Sequence, residues 1–89
     1  MLKYYGADIC KDCRAAARLL AEKGIEAERM DITASTANLR AFLALRDTDP
    51  AFAQVRAEGR IGIPAFLFDD GSIVLGSQWL RDEGTCADC

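Results

Sequence analysis

The sequence predicts an α/β domain in which a central mixed four-stranded sheet is flanked by helices, in the order βαβ, helices, ββα. Three observations predict it: a strand–helix–strand pattern comes first, helical periodicity and capping residues fill the middle, and a hairpin pattern follows. Because 89 residues suit one domain with a single modest core, we expect residues 1–84 to form that domain and residues 85–89 to be a C-terminal tail.

The first part of the chain predicts a strand, a helix and a second strand. Leu2–Tyr5 fits a first strand, and apolar residues at helical spacing predict a helix from about Lys11 to Lys23. Alternating residues from Ile25 to Ile32 predict a half-buried second strand, which a right-handed βαβ connection makes parallel to the first. Since neighbouring strand residues face opposite sides, we expect one of Tyr4 and Tyr5 to be buried and the other to border the loop that follows.

The middle of the chain predicts two helices. Ser35 is a suitable N-cap for the first of them. Its predicted apolar face, which ends in a basic residue, consists of Leu39, Phe42, Leu43 and Arg46. Asp49 and Pro50, a favoured N-cap followed by a favoured first helical residue, predict the start of the second helix, and Gly59 predicts its end.

The last third of the chain predicts an antiparallel hairpin and a short helix. Apolar runs on either side of Asp70-Gly71 predict two strands joined by a tight turn. Ser77 predicts the cap of a brief helix around Trp79 to Glu83. We expect Trp79 to cover an edge of the core, since such a tryptophan is more often structural than ligand-binding.

Composition excludes several classes of function. The net charge is −3 and the basic residues are scattered among acidic ones, which argues against a nucleic-acid partner. No apolar run approaches the roughly 20 residues that span a bilayer, and the first residues lack the pattern of a secretory leader. We therefore expect no membrane partner and a cytoplasmic location. The sequence contains no histidine, which excludes a Cys–His catalytic pair.

Cys10 and Cys13 have the Cys-x-x-Cys spacing of a reversible dithiol and lie at the start of the first predicted helix. Backbone N–H groups at a helix N-terminus favour a thiolate, so we predict that Cys10 is the nucleophile and Cys13 the resolving thiol. The Cys10 thiolate would attack a disulfide sulfur, and Cys13 or a second thiol would resolve the mixed disulfide. We expect the positive charge of Lys11 to assist, and Asp8 and Asp12 to oppose it.

With this order of elements and this dithiol, the chain resembles the glutaredoxin branch of the thioredoxin superfamily over nearly its whole length. The stretch Gly62-Ile63-Pro64-Ala65-Phe66 is similar to the family segment in which a cis-proline begins the third strand beside the redox pair. The resemblance implies a thioredoxin-like fold, a cis peptide bond at Pro64 and a substrate-binding role for Ile63 and Pro64. It also implies thiol–disulfide oxidoreductase activity on protein or glutathione mixed disulfides.

The same resemblance implies glutathione as a co-substrate and no tightly bound cofactor. We expect a monomer whose partners are glutathione, disulfide-containing proteins, or both. The acidic residues with which family members usually hold glutathione are missing, because the corresponding stretch reads Gly76-Ser77-Gln78-Trp79. We assign the backbone N–H groups of Ser77 and Gln78, at a helix start, as the groups that receive a carboxylate. The alternative is a glutathione-independent, thioredoxin-like electron carrier.

A second Cys-x-x-Cys pair consists of Cys86 and Cys89. One hypothesis is an auxiliary dithiol that exchanges disulfides with Cys10 and Cys13 or with a partner. A hypothesis from another class of function is a zinc or iron–sulfur binding module in which both pairs supply thiolate ligands. The third is a tail whose two thiols simply oxidise together.

Overall fold

A computed structural model describes residues 1–80 of the chain. Within these residues, the chain forms four strands and three α-helices. In chain order they are β1 Leu2–Gly6, α1 Lys11–Glu22, β2 Ala27–Asp31, α2 Thr36–Thr48, α3 Ala53–Glu58, β3 Ala65–Leu67 and β4 Ile73–Leu75. Two 3-10 turns, Pro50–Phe52 and Gln78–Leu80, complete the described part.

The four strands form one mixed sheet in the order β2-β1-β3-β4. β1 pairs with β2 in parallel, whereas the β1–β3 and β3–β4 pairs are antiparallel. The predicted α/β architecture, the parallel first two strands and the antiparallel hairpin are therefore confirmed. β1 lies in the interior of the sheet, so both of its edges are paired with neighbouring strands.

Capping residues start the middle helices where the sequence predicts. The Ser35 hydroxyl accepts a hydrogen bond from the Asn38 N–H at 3.1 Å and caps α2. The Asp49 carboxylate accepts from the Ala51 N–H at 2.9 Å and caps the turn that leads into α3. Each cap satisfies a backbone N–H group that the helix itself leaves unpaired.

The predicted apolar face of α2 is wrong in part. Phe42 is buried, but Leu39 and Leu43 are each 37% exposed. The residues that pack with Phe42 against the core are instead Ala41 and Leu45. A buried helix stripe is only about 100° wide, and apolar residues occur on both sides of Phe42 in the sequence. The position of α2 over the sheet therefore decides which of them are covered.

The core consists of two clusters, one on each face of the sheet. The α1-side cluster contains Tyr4, Cys13, Ala16, Leu20, Phe66 and Leu80. The α2-side cluster contains Tyr5, Ala7, Ile32, Phe42, Phe52, Val55 and Ala65. The expectation that only one of the two tyrosines is buried is wrong, since Tyr4 is 2% and Tyr5 4% exposed. Both are covered because helices pack on both faces of the interior strand β1.

The end of the described chain closes the α1 side. Trp79 packs edge-on against Phe66 and Phe68, with ring centroids 5.0 and 5.2 Å apart, as predicted for a residue that covers the edge of the core. The Leu80 N–H donates to the Ser77 carbonyl at 3.0 Å, which forms the 3-10 turn. The rest of the predicted last helix lies outside the described residues. No helix within residues 1–80 is long and apolar enough to cross a bilayer.

Candidate functional site

Cys10 and Cys13 lie where the loop after β1 enters α1. Cys10 is the N-cap residue of α1 and has an extended backbone, with φ −95° and ψ 123°. Its N–H donates to the Ala7 carbonyl, and its carbonyl accepts from the Arg14 N–H, both at 3.1 Å. Cys10 is partly exposed, whereas Cys13 is 1% exposed, and both are free thiols. The two cysteines therefore differ in access to solvent although they are one helical turn apart.

Cys10 lies at the N-terminal end of a helix. α1 is 12 residues long, and the Cys10 side chain makes no capping hydrogen bond with its first turn. Aligned peptide dipoles and unpaired N–H groups make such a helix end electropositive, which stabilises a thiolate. Lys11 is exposed at the first helical position, and Asp12 follows it.

Two arginines hold the loop that precedes Cys10. The Arg29 side chain, on β2, forms an ion pair with the Asp8 carboxylate, and this hydrogen bond raises the pKa of Arg29. The Arg14 guanidinium, on α1, donates to the Asp8 carbonyl at 2.7 Å. The Asp8 carboxylate is therefore paired with a cation from β2.

Cys13 lies in a buried environment that contains a tyrosine hydroxyl. The Tyr4 hydroxyl, on β1, donates to the Cys13 carbonyl oxygen at 2.6 Å. Burial raises the pKa of Cys13 to about 12, and hydrogen bonds from the Ala7 N–H and the Tyr4 hydroxyl partly oppose that rise. The Cys10 side chain also interacts with the Cys13 sulfur. Cys13 is therefore a thiol at neutral pH in the reduced protein.

Cys10 opens into a groove of about 890 Å³. Parts of segments 7–12, 59–64 and 75–76 line it, together with Ile32, Thr33 and Val55. The groove brings Cys10 together with Ile63 and Pro64, three of the residues that the sequence analysis singles out. The Ile63–Pro64 peptide bond is cis, the isomer that the resemblance implies.

Residues 59–64 form a second wall of the groove. An arginine from α2 holds this wall in place. The Arg46 guanidinium donates to the Ile61 carbonyl at 2.8 Å and also to the Arg60 carbonyl. Gly62 has φ +98°, a conformation that glycine adopts without strain. Ile61 and Ile9, which both line the groove, are 58% and 85% exposed. The groove thus has two exposed apolar side chains at its rim.

Ser77 and Gln78 adjoin the groove without lining it. Their neighbour Gly76 does line it, and the Gly76 N–H donates to the Pro64 carbonyl at 2.8 Å. Ser77 is buried and Gln78 is exposed. The 3-10 turn that begins at Gln78 has three residues, so the electropositive end predicted there belongs to a much shorter element than α1.

The metal hypothesis depends on residues that the structure does not describe. Cys86 and Cys89 lie outside residues 1–80, so the four-thiolate site and the auxiliary dithiol stay predictions. Within residues 1–80, no three or more Cys, Asp or Glu side chains come together in a way that could hold a metal ion.

The sequence analysis missed the role of Tyr4 and Gly6 beside Cys13. A Cβ atom added to Gly6 would lie 2.9 Å from the Tyr4 hydroxyl oxygen and 3.0 Å from the Cys13 sulfur, so the missing side chain leaves room for both. A signal was available: a strand inside a sheet with helices on both faces has both faces covered. A tyrosine on the face toward α1 must then bury its hydroxyl against that helix.

Comparisons with known proteins place the chain in a family. No protein-family model matches it, and no solved structure gives a significant match. A protein from Haemophilus influenzae strain Rd, described as uncharacterized, is 35% identical over 75 residues, which make up 84% of this chain and 87% of that protein. The chain belongs to the same family as this Haemophilus influenzae protein.

Proposed function

We propose that the protein is a thiol–disulfide oxidoreductase with a thioredoxin-like fold, similar to glutaredoxins, that reduces protein or glutathione mixed disulfides. The observation that carries this proposal is the difference between the two cysteines. Cys10 is partly exposed at the start of α1 and lines the groove, whereas Cys13 is buried one turn later and interacts with it. This is the arrangement that a nucleophile and a resolving thiol require.

The reaction proceeds in two exchanges. The Cys10 thiolate attacks one sulfur of the substrate disulfide, a bond forms between the two sulfurs, and the other substrate sulfur leaves as a thiolate that takes a proton from water. The Cys13 thiol then loses its proton, and its sulfur attacks Cys10. As the Cys10–Cys13 disulfide forms, the bond between Cys10 and the substrate sulfur breaks, and that sulfur leaves as a thiolate that takes up the proton lost by Cys13. The substrate disulfide gains two electrons, which the dithiol loses.

The groove would hold the substrate around its disulfide. Ile9 and Ile61 at the rim and Ile63 inside offer apolar surface to the residues beside the substrate cysteine. Arg29 and Arg14 fix the loop that carries Cys10, and Arg46 fixes the opposite wall. Both sides of the groove are therefore held in place before a substrate arrives, which lowers the entropic cost of binding.

Glutathione is the co-substrate in this proposal, with Ser77 and Gln78 as its carboxylate-binding residues. One observation favours the second candidate, a glutathione-independent carrier that serves protein disulfides. Arg60 lines the groove but its guanidinium is 2.6 Å from the Glu58 carboxylate, and Asp12 adds negative charge to the lining. A tripeptide with two carboxylates gains little from such a groove. We place either activity in the cytoplasm, where dithiols are kept reduced.

A variant with one thiol tests the proposal. We would replace Cys13, Cys86 and Cys89 by Ser, incubate the protein with oxidised glutathione, and follow intact mass across pH. We expect one glutathione adduct, formed readily at neutral pH because the end of α1 stabilises the Cys10 thiolate. The matched control replaces Cys10 as well, and this control should form no adduct.

The outcomes separate the candidates. An adduct on Cys10 supports the glutaredoxin-like function and makes Gln78→Pro, which removes a backbone N–H group, the next variant, with Gln78→Ala as its control. No adduct, together with ready alkylation of Cys10 by iodoacetamide, supports the glutathione-independent carrier. A Cys10 that neither exchanges with disulfides nor alkylates would overturn the oxidoreductase proposal.

A further inference from the structure

The Tyr4 side chain forms a hydrogen bond with the backbone of Cys13. Its hydroxyl donates to the Cys13 carbonyl at 2.6 Å and is buried with it. The hydroxyl oxygen and the Cys13 sulfur also flank the same small space, since a Cβ on Gly6 would touch them at 2.9 and 3.0 Å. The hydroxyl hydrogen rotates about its C–O bond, so it can turn from the carbonyl oxygen toward the sulfur.

We propose that the Tyr4 hydroxyl donates a hydrogen bond to the Cys13 sulfur whenever that sulfur carries negative charge, and so sets the rate of the exchange steps at Cys13. This inference rests on the proposed oxidoreductase function. It assigns a reaction role to a residue on β1, outside the Cys-x-x-Cys motif and outside the groove.

The need for such a donor follows from burial. Cys13 is 1% exposed, so water cannot solvate a thiolate there, and an unpaired buried charge is costly. In the resolving step the Cys13 sulfur is the attacking thiolate, which forms the bond to Cys10 while the bond from Cys10 to the substrate sulfur breaks. In the reverse step an external thiolate attacks Cys10 and the Cys13 sulfur leaves with the electron pair. Both steps place negative charge on the same buried atom.

Tyr4 is suited to donate at all pH values at which the protein works. Burial raises the pKa of its hydroxyl, so the proton stays on the oxygen. The titratable and charged groups that act on the pair are Cys10 at the start of α1 and Arg29 on β2, besides Tyr4 and Cys13 themselves. The backbone N–H of Ala7 is a second donor to the Cys13 sulfur. Besides the reaction partner Cys10, Tyr4 is therefore a side chain whose removal should affect the sulfur.

A chromophoric disulfide separates the two cysteines in one experiment. Reduced protein with Cys86 and Cys89 replaced by Ser is mixed with 5,5′-dithiobis(2-nitrobenzoate) in a stopped-flow instrument. Attack by Cys10 releases the first equivalent of thionitrobenzoate, and attack by Cys13 releases the second. The first phase tests the proposed function and the second tests the role of Tyr4, so failure of one is distinguishable from failure of the other.

Tyr4→Phe should leave the first phase unchanged and slow the second about tenfold or more, with its pH profile moved to higher pH, because a hydrogen bond to a charged group is lost. Tyr5→Phe is the matched control, since Tyr5 is equally buried but lies on the other face of β1. It should leave both phases unchanged. Equal rates of the second phase in Tyr4→Phe and Tyr5→Phe would overturn the inference.

A second measurement keeps the inference testable if Tyr4→Phe folds poorly. The chain has two tyrosines, so in the Tyr5→Phe variant Tyr4 is the sole one left. Growth on a fluorinated tyrosine then replaces Tyr4 alone by a more acidic donor of nearly the same shape. The second phase should become faster, because a more acidic hydroxyl donates a stronger hydrogen bond to a thiolate. An unchanged second phase would show that Tyr4 contributes packing alone.

Discussion

Tyr4 and Tyr5 are neighbours on one strand, yet the two sides of the sheet use them differently. On the α2 side, Tyr5 packs against Phe42 and Phe42 against Phe52, with ring centroids 5.9 and 5.7 Å apart. On the α1 side, Tyr4 stacks on Phe66 at 5.3 Å, but its hydroxyl reaches the Cys13 backbone. Aromatic rings pack on both sides, but on the α1 side Gly6 leaves room for the Tyr4 hydroxyl beside the Cys13 sulfur.

This difference shows how a small domain separates stability from chemistry. The α2-side cluster contains three aromatic residues and no cysteine, and its contribution is burial of apolar area. The α1-side cluster contains Cys13 and Ala16 in α1, and this lets a hydroxyl, a backbone N–H and a sulfur meet. Substitutions on the two sides should therefore change different measured quantities.

Phe42→Ala should have the largest effect on stability. Phe42 is 1% exposed and contacts both Tyr5 and Phe52, so its truncation loses apolar burial and leaves a cavity. We expect the free energy of unfolding in urea to fall by about 3–5 kcal/mol. The rate at which iodoacetamide alkylates Cys10 in the folded fraction should stay the same.

Leu43→Ala is the matched control for this prediction, because Leu43 is the next residue on α2 but is exposed. We expect a loss of less than about 1 kcal/mol there. Similar losses for the two substitutions would mean that α2 packs on the sheet through its other face, and would contradict the comparison.

Gly6→Ala tests the α1 side. The added methyl group would meet the Tyr4 hydroxyl and the Cys13 sulfur at about 3 Å, so one of them must move. Overpacking of this kind costs about 1–3 kcal/mol of unfolding free energy, measured in urea. If the Tyr4 hydroxyl is displaced, release of the second thionitrobenzoate equivalent should also slow. A variant with unchanged stability and unchanged release would show that the space between these two atoms is larger than the structure indicates.

Raising the pH into the alkaline range should lower the free energy of unfolding through Cys13, on the α1 side, by a smaller amount. Burial raises the pKa of Cys13 from 9.0 to about 12, so the folded state holds this proton more tightly than the unfolded state. Stability from this group is full below pH 9 and is lost as pH rises toward 12, by at most about 1.4 kcal/mol per pH unit.

The measurement is urea unfolding under reducing conditions from pH 8 to pH 11, in protein with Cys86 and Cys89 replaced by Ser. Cys13→Ala should lose less stability than Cys10→Ala over this range, because only the former removes the buried thiol. An equal fall in both variants would assign the alkaline effect to other groups, and Cys13 would then be less buried than the structure indicates.

Local signals in the sequence were enough to predict most of the fold. Ser35 and Asp49 start helical segments at the predicted positions because a capping side chain acts on N–H groups two or three residues away. Leu39 and Leu43 were placed on the wrong side because the covered face of α2 depends on where the sheet lies beneath it. The helical spacing of apolar residues does not specify which face of α2 the sheet covers.

The motif residues of the candidate site were predictable from the sequence, whereas the residues that support them were not. The Cys10–Cys13 spacing and the resemblance around Pro64 single out residues that meet in one groove. The arginines that hold its walls were not foreseen, because Arg46 and Ile61 come together only through the tertiary fold. The burial of Tyr4 follows from the interior position of β1, but its hydrogen-bond partner, the Cys13 backbone, is fixed by the tertiary fold.

The position of Trp79 has a practical consequence for spectroscopy. It is the single tryptophan of the sequence, and, like the partly buried Cys10, it packs against the α1-side cluster that contains Cys13. Fluorescence from the chain therefore has one indole source, on the side of the sheet where the dithiol lies. Excited at wavelengths that tyrosine does not absorb, the described chain emits from Trp79, and this emission reports the side of the sheet on which the dithiol lies without any label.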